Sequence, residues 1–169
     1  VICEADLNQI NPSVTIDSDN KIWVVWEDNR WTNTPFARDI YGQRLDTATN
    51  ERGDPNILLM KDGSPINNGA PICHANGTQS NPKVIANGQT GVFVVWEDYR
   101  ANGIHSDVIG VEIGTDGNQI EPWEKNGSII CNAFHKQNFP LIGLLAEDGS
   151  SGAALVWEDK RATGKEELS

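Results

Sequence analysis

Three observations predict an all-β fold built of repeated antiparallel units for this 169-residue chain. A seven-residue phrase recurs three times: V-V-W-E-D-N-R at Val24 to Arg30, V-V-W-E-D-Y-R at Val94 to Arg100, and L-V-W-E-D-K-R at Leu155 to Arg161. Each copy reads on the two-residue period of a strand and is apolar on both faces. No stretch carries the periodicity of a helix. A phrase recurring at this spacing marks a repeat architecture, so its residues are first candidates for scaffold and only then for chemistry.

The repeat extends beyond the phrase. I-C-E-A, I-C-H-A and I-C-N-A precede the copies, each followed by Gln9-Ile10-Asn11-Pro12, Gln79-Ser80-Asn81-Pro82 or Gln137-Asn138-Phe139-Pro140. Cys3, Cys73 and Cys131 are thus equivalent. Asp39-Ile40-Tyr41-Gly42 and Asp107-Val108-Ile109-Gly110 follow the first two copies. The interval from Cys3 to Cys73 exceeds that from Cys73 to Cys131, and the difference falls mostly in a variable loop before the cysteine.

The elements follow in order. Ser13 to Ile16, Lys83 to Ala86 and Leu141 to Leu145 read as first strands, each entered after a proline. Turns at Asp17-Ser18-Asp19-Asn20, Asn87-Gly88 and Asp148-Gly149 lead into the W-E-D strands, giving hairpins. In those strands Ile22, Val24 and Trp26 oppose Trp23 and Val25; Val92, Val94 and Trp96 oppose Phe93 and Val95; Ala153, Leu155 and Trp157 oppose Ala154 and Val156. Asp39 to Leu45 and Asp107 to Ile113 are third strands, whose Gly42 and Gly110 point to close approach by a neighbour. Pro71 to His74 and Ile129 to Asn132 are short fourth strands.

Four antiparallel strands per unit, with the second covered on both faces, describe the blade of a β-propeller, since stacked blades supply that double cover. An immunoglobulin-type sandwich also has short strands and turns, but gives no reason for the threefold repeat. The order reads as 1–5, the last strand of a preceding blade; 10–75 and 80–133, two blades; and 138–169, the first half of a further blade. Propellers have four to eight blades, so about two and a half imply an incomplete ring. The expectation is one propeller segment of a longer polypeptide, or a ring completed by neighbouring chains through the ends at Leu141 to Arg161 and Val1 to Glu4.

The run Asp19 to Arg30 followed by Asp39-Ile40-Tyr41 resembles the repeat of TolB-type β-propellers, whose blade runs as a D-G-K turn, an apolar strand, an S-D-R corner and then D-I-Y. Here E-D-x-R replaces S-D-R, and the loop after the corner is longer. Repeats of this form are also similar to those of bacterial secreted and cell-surface proteins. The resemblance implies a propeller; for function it implies only the range such propellers cover, namely protein binding, peptidase gating and spacing.

Composition excludes several classes. The net charge is −11, which opposes a nucleic-acid backbone or an anionic membrane as partner. No run approaches the ~20 apolar residues of a membrane helix, and no signal peptide is visible. The three cysteines read as small apolar residues on inner strand faces, since equivalent points on neighbouring repeats lie too far apart to bridge.

Trp26, Glu27, Asp28 and Arg30, with Trp96, Glu97, Asp98 and Arg100 and with Trp157, Glu158, Asp159 and Arg161, form the obvious constellation. Paired carboxylates can serve acid–base chemistry. A carboxylate and an arginine at a strand corner can also form a bidentate pair. Recurrence in every unit favours the structural role, because a catalytic site needs unlike residues converging on one place. The tryptophans of the phrase read as packing between units. Trp31, unrepeated and in a loop, is the candidate for ligand contact by stacking on a sugar or peptide.

Asp17 and Asp19 resemble the opening of a calcium loop, without its glycine and distant glutamate, so a turn is the better reading. His74, His105 and His135 are scattered, and neither a zinc pattern nor a hydrolase motif occurs. Asn76-Gly77-Thr78 and Asn126-Gly127-Ser128 are N-glycosylation sequons in predicted loops. Together these readings give a non-enzymatic binding or structural module of a secreted or cell-surface protein, with no cofactor beyond the weak calcium candidate. Its partners would be the rest of the propeller and a protein or glycan ligand. The alternatives are a subunit of an extracellular assembly and the propeller part of a glycosidase or peptidase.

Overall fold

The computed structural model describes residues 1–30, 37–49, 51, 53–61, 64–89, 91–101, 103–144 and 152–161. Among them there are only strands, turns and bends; the sheets are antiparallel and none is closed. The first sheet contains β1 (Gln9–Ile16), β2 (Ile22–Asp28), β3 (Asp39–Thr49), β4 (Pro55–Ile57) and, beyond a two-stranded β5 (Met60–Lys61) and β6 (Ser64–Pro65) hairpin, β7 (Ala70–Cys73). β3 is long enough to serve two partners on one edge: Ile40 to Gly42 pair with β7, and Leu45 to Thr49 with β4. The second sheet runs β8 (Gln79–Ala86), β9 (Val92–Asp98), β10 (Asp107–Ile113) and β11 (Ser128–Cys131). The third holds β12 (Gln137–Leu144) and β13 (Ala153–Asp159).

The W-E-D strands are second in their sheets, as the hairpins predict. The first strands start earlier than expected, at Gln9, Gln79 and Gln137, because proline does not end them. Each takes a bulge at the x-Pro step, where the register shifts between Ile10 and Ser13, Ser80 and Lys83, and Asn138 and Leu141. Asn11, Asn81 and Phe139 adopt φ of 51°, 52° and 52° there. A left-handed residue before proline spares the ladder the amide that proline lacks. Asparagine tolerates that conformation; phenylalanine does so at a cost. β4, β5 and β6 occupy the variable loop, which the repeat pattern left blank. Val1 to Ala5, expected as a last strand, pair with no strand among the described residues. The end of the expected further half-blade, residues 162–169, lies outside the described residues.

Sheets stack in chain order, with β1 and β2 against β8, and β8 and β9 against β12. The core fills the first of these gaps: Trp23, Val25 and Ile40 meet Val84, Val92, Val94, Trp96, Ile109, Val111 and Ile113. Every residue of β9 is buried. β13 alternates half-buried and exposed positions instead, so the double cover predicted for all three W-E-D strands is met fully only in the middle one. Gly42 and Gly110 match the close approach expected of them: a Cβ would stand 2.7 Å from Ile72 Cδ1 and 2.6 Å from Ile130 Cδ1.

Candidate functional site

The E-D-x-R corners of the first two sheets are the same construction twice. Asp28 ends β2 with its side chain buried. Its Oδ2 accepts from Trp26 Nε1 at 2.9 Å and from the Arg30 guanidinium, and its Oδ1 accepts from Arg30 N and Arg30 Nε, both at 2.9 Å. Asp98 repeats this with Trp96 Nε1 at 2.8 Å and with Arg100 N, Nε and Nη2 at 2.9, 2.9 and 2.6 Å. The spacing explains the set: the tryptophan is two positions before the aspartate on the same strand face, and the arginine is two after it in the turn. Burial alone would raise the Asp28 carboxyl; the donors from Arg30 and Trp26 outweigh it and hold it below the ordinary carboxylate range.

The arginines reach further. Arg30 Nη2 donates to the Asn68 carbonyl at 2.7 Å and to Cys3 Sγ at 3.3 Å. Arg100 Nη2 donates to the Asn126 carbonyl at 2.7 Å and to Cys73 Sγ at 3.3 Å. The repeated cysteine is therefore an acceptor under the repeated arginine, and burial pushes the Cys73 thiol up to about 12, against the pull of Arg100. All three cysteines are free.

Sequence reasoning missed the turn that receives the arginine. Asn68-Gly69 and Asn126-Gly127 are equivalent, all four residues having positive φ. A Cβ on Gly69 would stand 2.3 Å from Trp26 Cη2, and one on Gly127 2.4 Å from Trp96 Cη2. The shared Asn-Gly was the available signal, masked by reading the second copy as a sequon. Asn126 Oδ1 accepts from His74 N at 3.0 Å, whereas the Asn76 side chain lies on an exposed residue.

Glu27 and Glu97 point the other way, as successive strand residues must. Glu27 Oε1 accepts from Asn11 Nδ2 at 2.6 Å in its own sheet and from Asn81 N at 2.8 Å in the next. Glu97 Oε1 accepts from Asn81 Nδ2 at 2.8 Å and from Phe139 N at 2.7 Å. Each glutamate thus ties its sheet to the bulge of the following one. Gln79 N to Arg38 O at 2.8 Å and Gln137 N to Ser106 O at 3.0 Å repeat beside them. In the third corner Arg161 N donates to Asp159 Oδ1 at 2.9 Å, while the Glu158 side chain is 50% exposed with Lys160 Nζ at 3.7 Å.

The remaining candidates are placed as follows. Asp17 is the anchor of its turn: Oδ1 takes the amides of Asp19 and Lys21, both at 3.0 Å, and Oδ2 takes Trp23 Nε1 at 3.0 Å and Arg44 Nε at 2.8 Å. Asp19 pairs with Arg44 Nη2 at 2.9 Å. Both calcium candidates are thus engaged by protein donors, and among the described residues no group of three or more His, Cys, Asp or Glu is placed to hold a metal. His74 Nδ1 and Asp39 Oδ2 share a hydrogen bond of 2.7 Å. His105, Phe134 and His135, unrelated in the sequence reading, come together as an aromatic cluster with centroids 4.4 to 6.0 Å apart. Trp31 lies outside the described residues. No family model, curated protein or solved structure matches the chain significantly.

Proposed function

We propose that the three sheets are successive blades of a β-propeller and that the chain is a non-enzymatic binding or structural module of a larger secreted or cell-surface protein. One observation carries the functional half of the reading. The recurring carboxylates are committed to protein donors in a repeated pattern, Asp28 and Asp98 within a sheet and Glu27 and Glu97 between sheets. Neighbouring carboxylates aimed to opposite sides of a strand do not converge on a substrate as an acid and a base must. The in-series stacking of β1, β8 and β12 supports blades around a common axis, and the resemblance of the repeat implies the secreted or cell-surface setting.

Ligand contact belongs, in this reading, to the unrepeated loop that carries Trp31, with a glycan or protein as the ligand class. The test has two arms. Binding to an immobilised glycan and peptide panel, lost in Trp31→Ala with thermal stability unchanged, is the expected result. Turnover of nitrophenyl glycosides or peptide anilides that disappears in Glu27→Gln or Glu97→Gln would overturn it.

A further inference from the structure

Asn-Gly pairs stand in the sequence at Asn68, Asn76, Asn87, Asn102 and Asn126. In such a pair the asparagine side chain is open to attack by its own backbone. The glycine has no Cβ to shield its amide nitrogen, which lies within reach of the asparagine Cγ. The pair reacts only where that nitrogen and the side-chain amide can meet, so the fold selects among them. Asn102 lies outside the described residues; the other four can be compared.

At three of the four the side chain is held. Asn87 is buried; its Oδ1 accepts from Gln89 N at 2.8 Å and Gly91 N at 3.1 Å, and its Nδ2 donates to Glu112 Oε1 at 2.7 Å. Asn68 Oδ1 accepts from Glu4 N at 2.6 Å, and the Asn68 carbonyl from Arg30 Nη2. Asn126 Oδ1 accepts from His74 N, and the Asn126 carbonyl from Arg100 Nη2. The nucleophile is guarded as well. Gly127 N donates to the Glu124 carbonyl at 2.9 Å, and Gly69 and Gly127 are buried against the rings of Trp26 and Trp96.

Asn76-Gly77 lacks these restraints. Both residues are exposed, in the bend that joins β7 to β8. Among the described residues the Asn76 side chain has no hydrogen-bond partner, and Gly77 N donates to no backbone carbonyl. The bend is held through other atoms. The Asn76 carbonyl accepts from Gln79 Nε2 at 3.3 Å, and the Thr78 carbonyl from Tyr99 N at 2.8 Å. The ends of the bend are thus anchored while both reacting groups face water.

We propose that Asn76 is a site of spontaneous deamidation, selected by the fold over Asn68, Asn87 and Asn126. Gly77 N loses its proton to hydroxide and attacks Asn76 Cγ. The new C–N bond closes a five-membered succinimide as the bond to Nδ2 breaks, and Nδ2 takes up a proton and leaves as ammonia. Water then opens the ring at either carbonyl. One opening gives aspartate; the other gives isoaspartate, whose main chain runs through the side-chain methylene. No oxidant or reductant enters. The product is one negative charge beyond the −11 of the chain, and it destroys the Asn76-Gly77-Thr78 sequon. The step goes beyond the binding or structural role proposed above and depends on neither the blade reading nor a ligand.

The experiment incubates the full 169-residue chain at mildly alkaline pH, once native and once in guanidinium chloride. Conversion at each asparagine is read by peptide mapping with mass spectrometry, and isoaspartate by enzymatic methylation. In the native chain Asn76 is expected to convert about tenfold faster than Asn68, Asn87 or Asn126, since each of those must break at least one hydrogen bond before attack. In denaturant the four convert at similar rates. Native conversion no faster at Asn76 than at the other three would overturn the proposal. So would a lead for Asn76 that persists unchanged in denaturant, because local sequence and not the fold would then be choosing.

Discussion

Asp28 and Asp98 each hold three kinds of donor at one carboxylate, and little of that energy is visible in the pair alone. The Asp28 side chain is fully buried and the Arg30 side chain is 12% exposed. Asp28→Asn therefore leaves a nearly buried guanidinium without its counter-charge, at a cost of about 3 kcal/mol. Asp98→Asn costs a similar amount, and Asp159→Asn much less because Arg161 is exposed; urea denaturation curves order the three. The acid limb tests the same contacts. Asp17 and Asp28 are both held below the ordinary range, burial opposing and the Arg44 and Arg30 donors prevailing. A depressed carboxyl contributes stability that is complete above its unfolded value and is lost as pH falls through the folded one. Stability thus declines below about pH 4, and the decline is shallower in Asp28→Asn. Asp39 has the opposite sign: burial raises it, His74 opposes, and its contribution is lost as pH rises through the folded value. The buried Cys73 thiol, raised to about 12, stays unmodified by thiol reagents in the native state while Cys3 and Cys131 react.

At the scale of elements, the Asn-Gly turns before β7 and β11 decide how closely a W-E-D strand can pack. Gly69→Ala and Gly127→Ala place a methyl group into a tryptophan ring at positive φ, and each costs about 3 kcal/mol or more. Gly53 and Gly103 also have positive φ but have open space around them, so their alanine variants cost only about 1 kcal/mol. Midpoints of chemical denaturation separate the two pairs. The glutamates act between elements. Glu97→Ala strands the Phe139 amide and the Asn81 side chain, costing about 2 kcal/mol, whereas Glu158→Ala, at a half-exposed side chain, changes stability hardly at all.

For the whole molecule, stability follows the cover that each sheet receives. The second sheet lies between two others and holds the fully buried β9; among the described residues the third has two strands and an open face. Hydrogen exchange is therefore slowest in β9 and β10 and fastest in β12 and β13, with β1 nearer the latter. Protection that is uniform across the three sheets would contradict a stack with open ends.

The sequence by itself determined the strands, their antiparallel order and the identity of the corner. A period of two, a recurring W-E-D-x-R and the Asn/Asp/Gly turns are local signals, each satisfied within a few residues. It also implied that Glu, Asp and Arg of the corner serve the scaffold, from recurrence alone. Only the tertiary structure decided what each of them holds. That Glu27 ties down the Asn81 amide, that Arg30 lies over Cys3, and that Gly69 exists to admit Trp26 are contacts between residues 27 to 54 positions apart. No local pattern records such partners. The x-Pro bulges were misread as strand starts for the same reason, since their purpose is to present an amide to the previous sheet. The open faces of β1 and β13 were equally invisible: in sequence Val14 and Val156 read like Val84 and Val95, and cover is a property of neighbours in space.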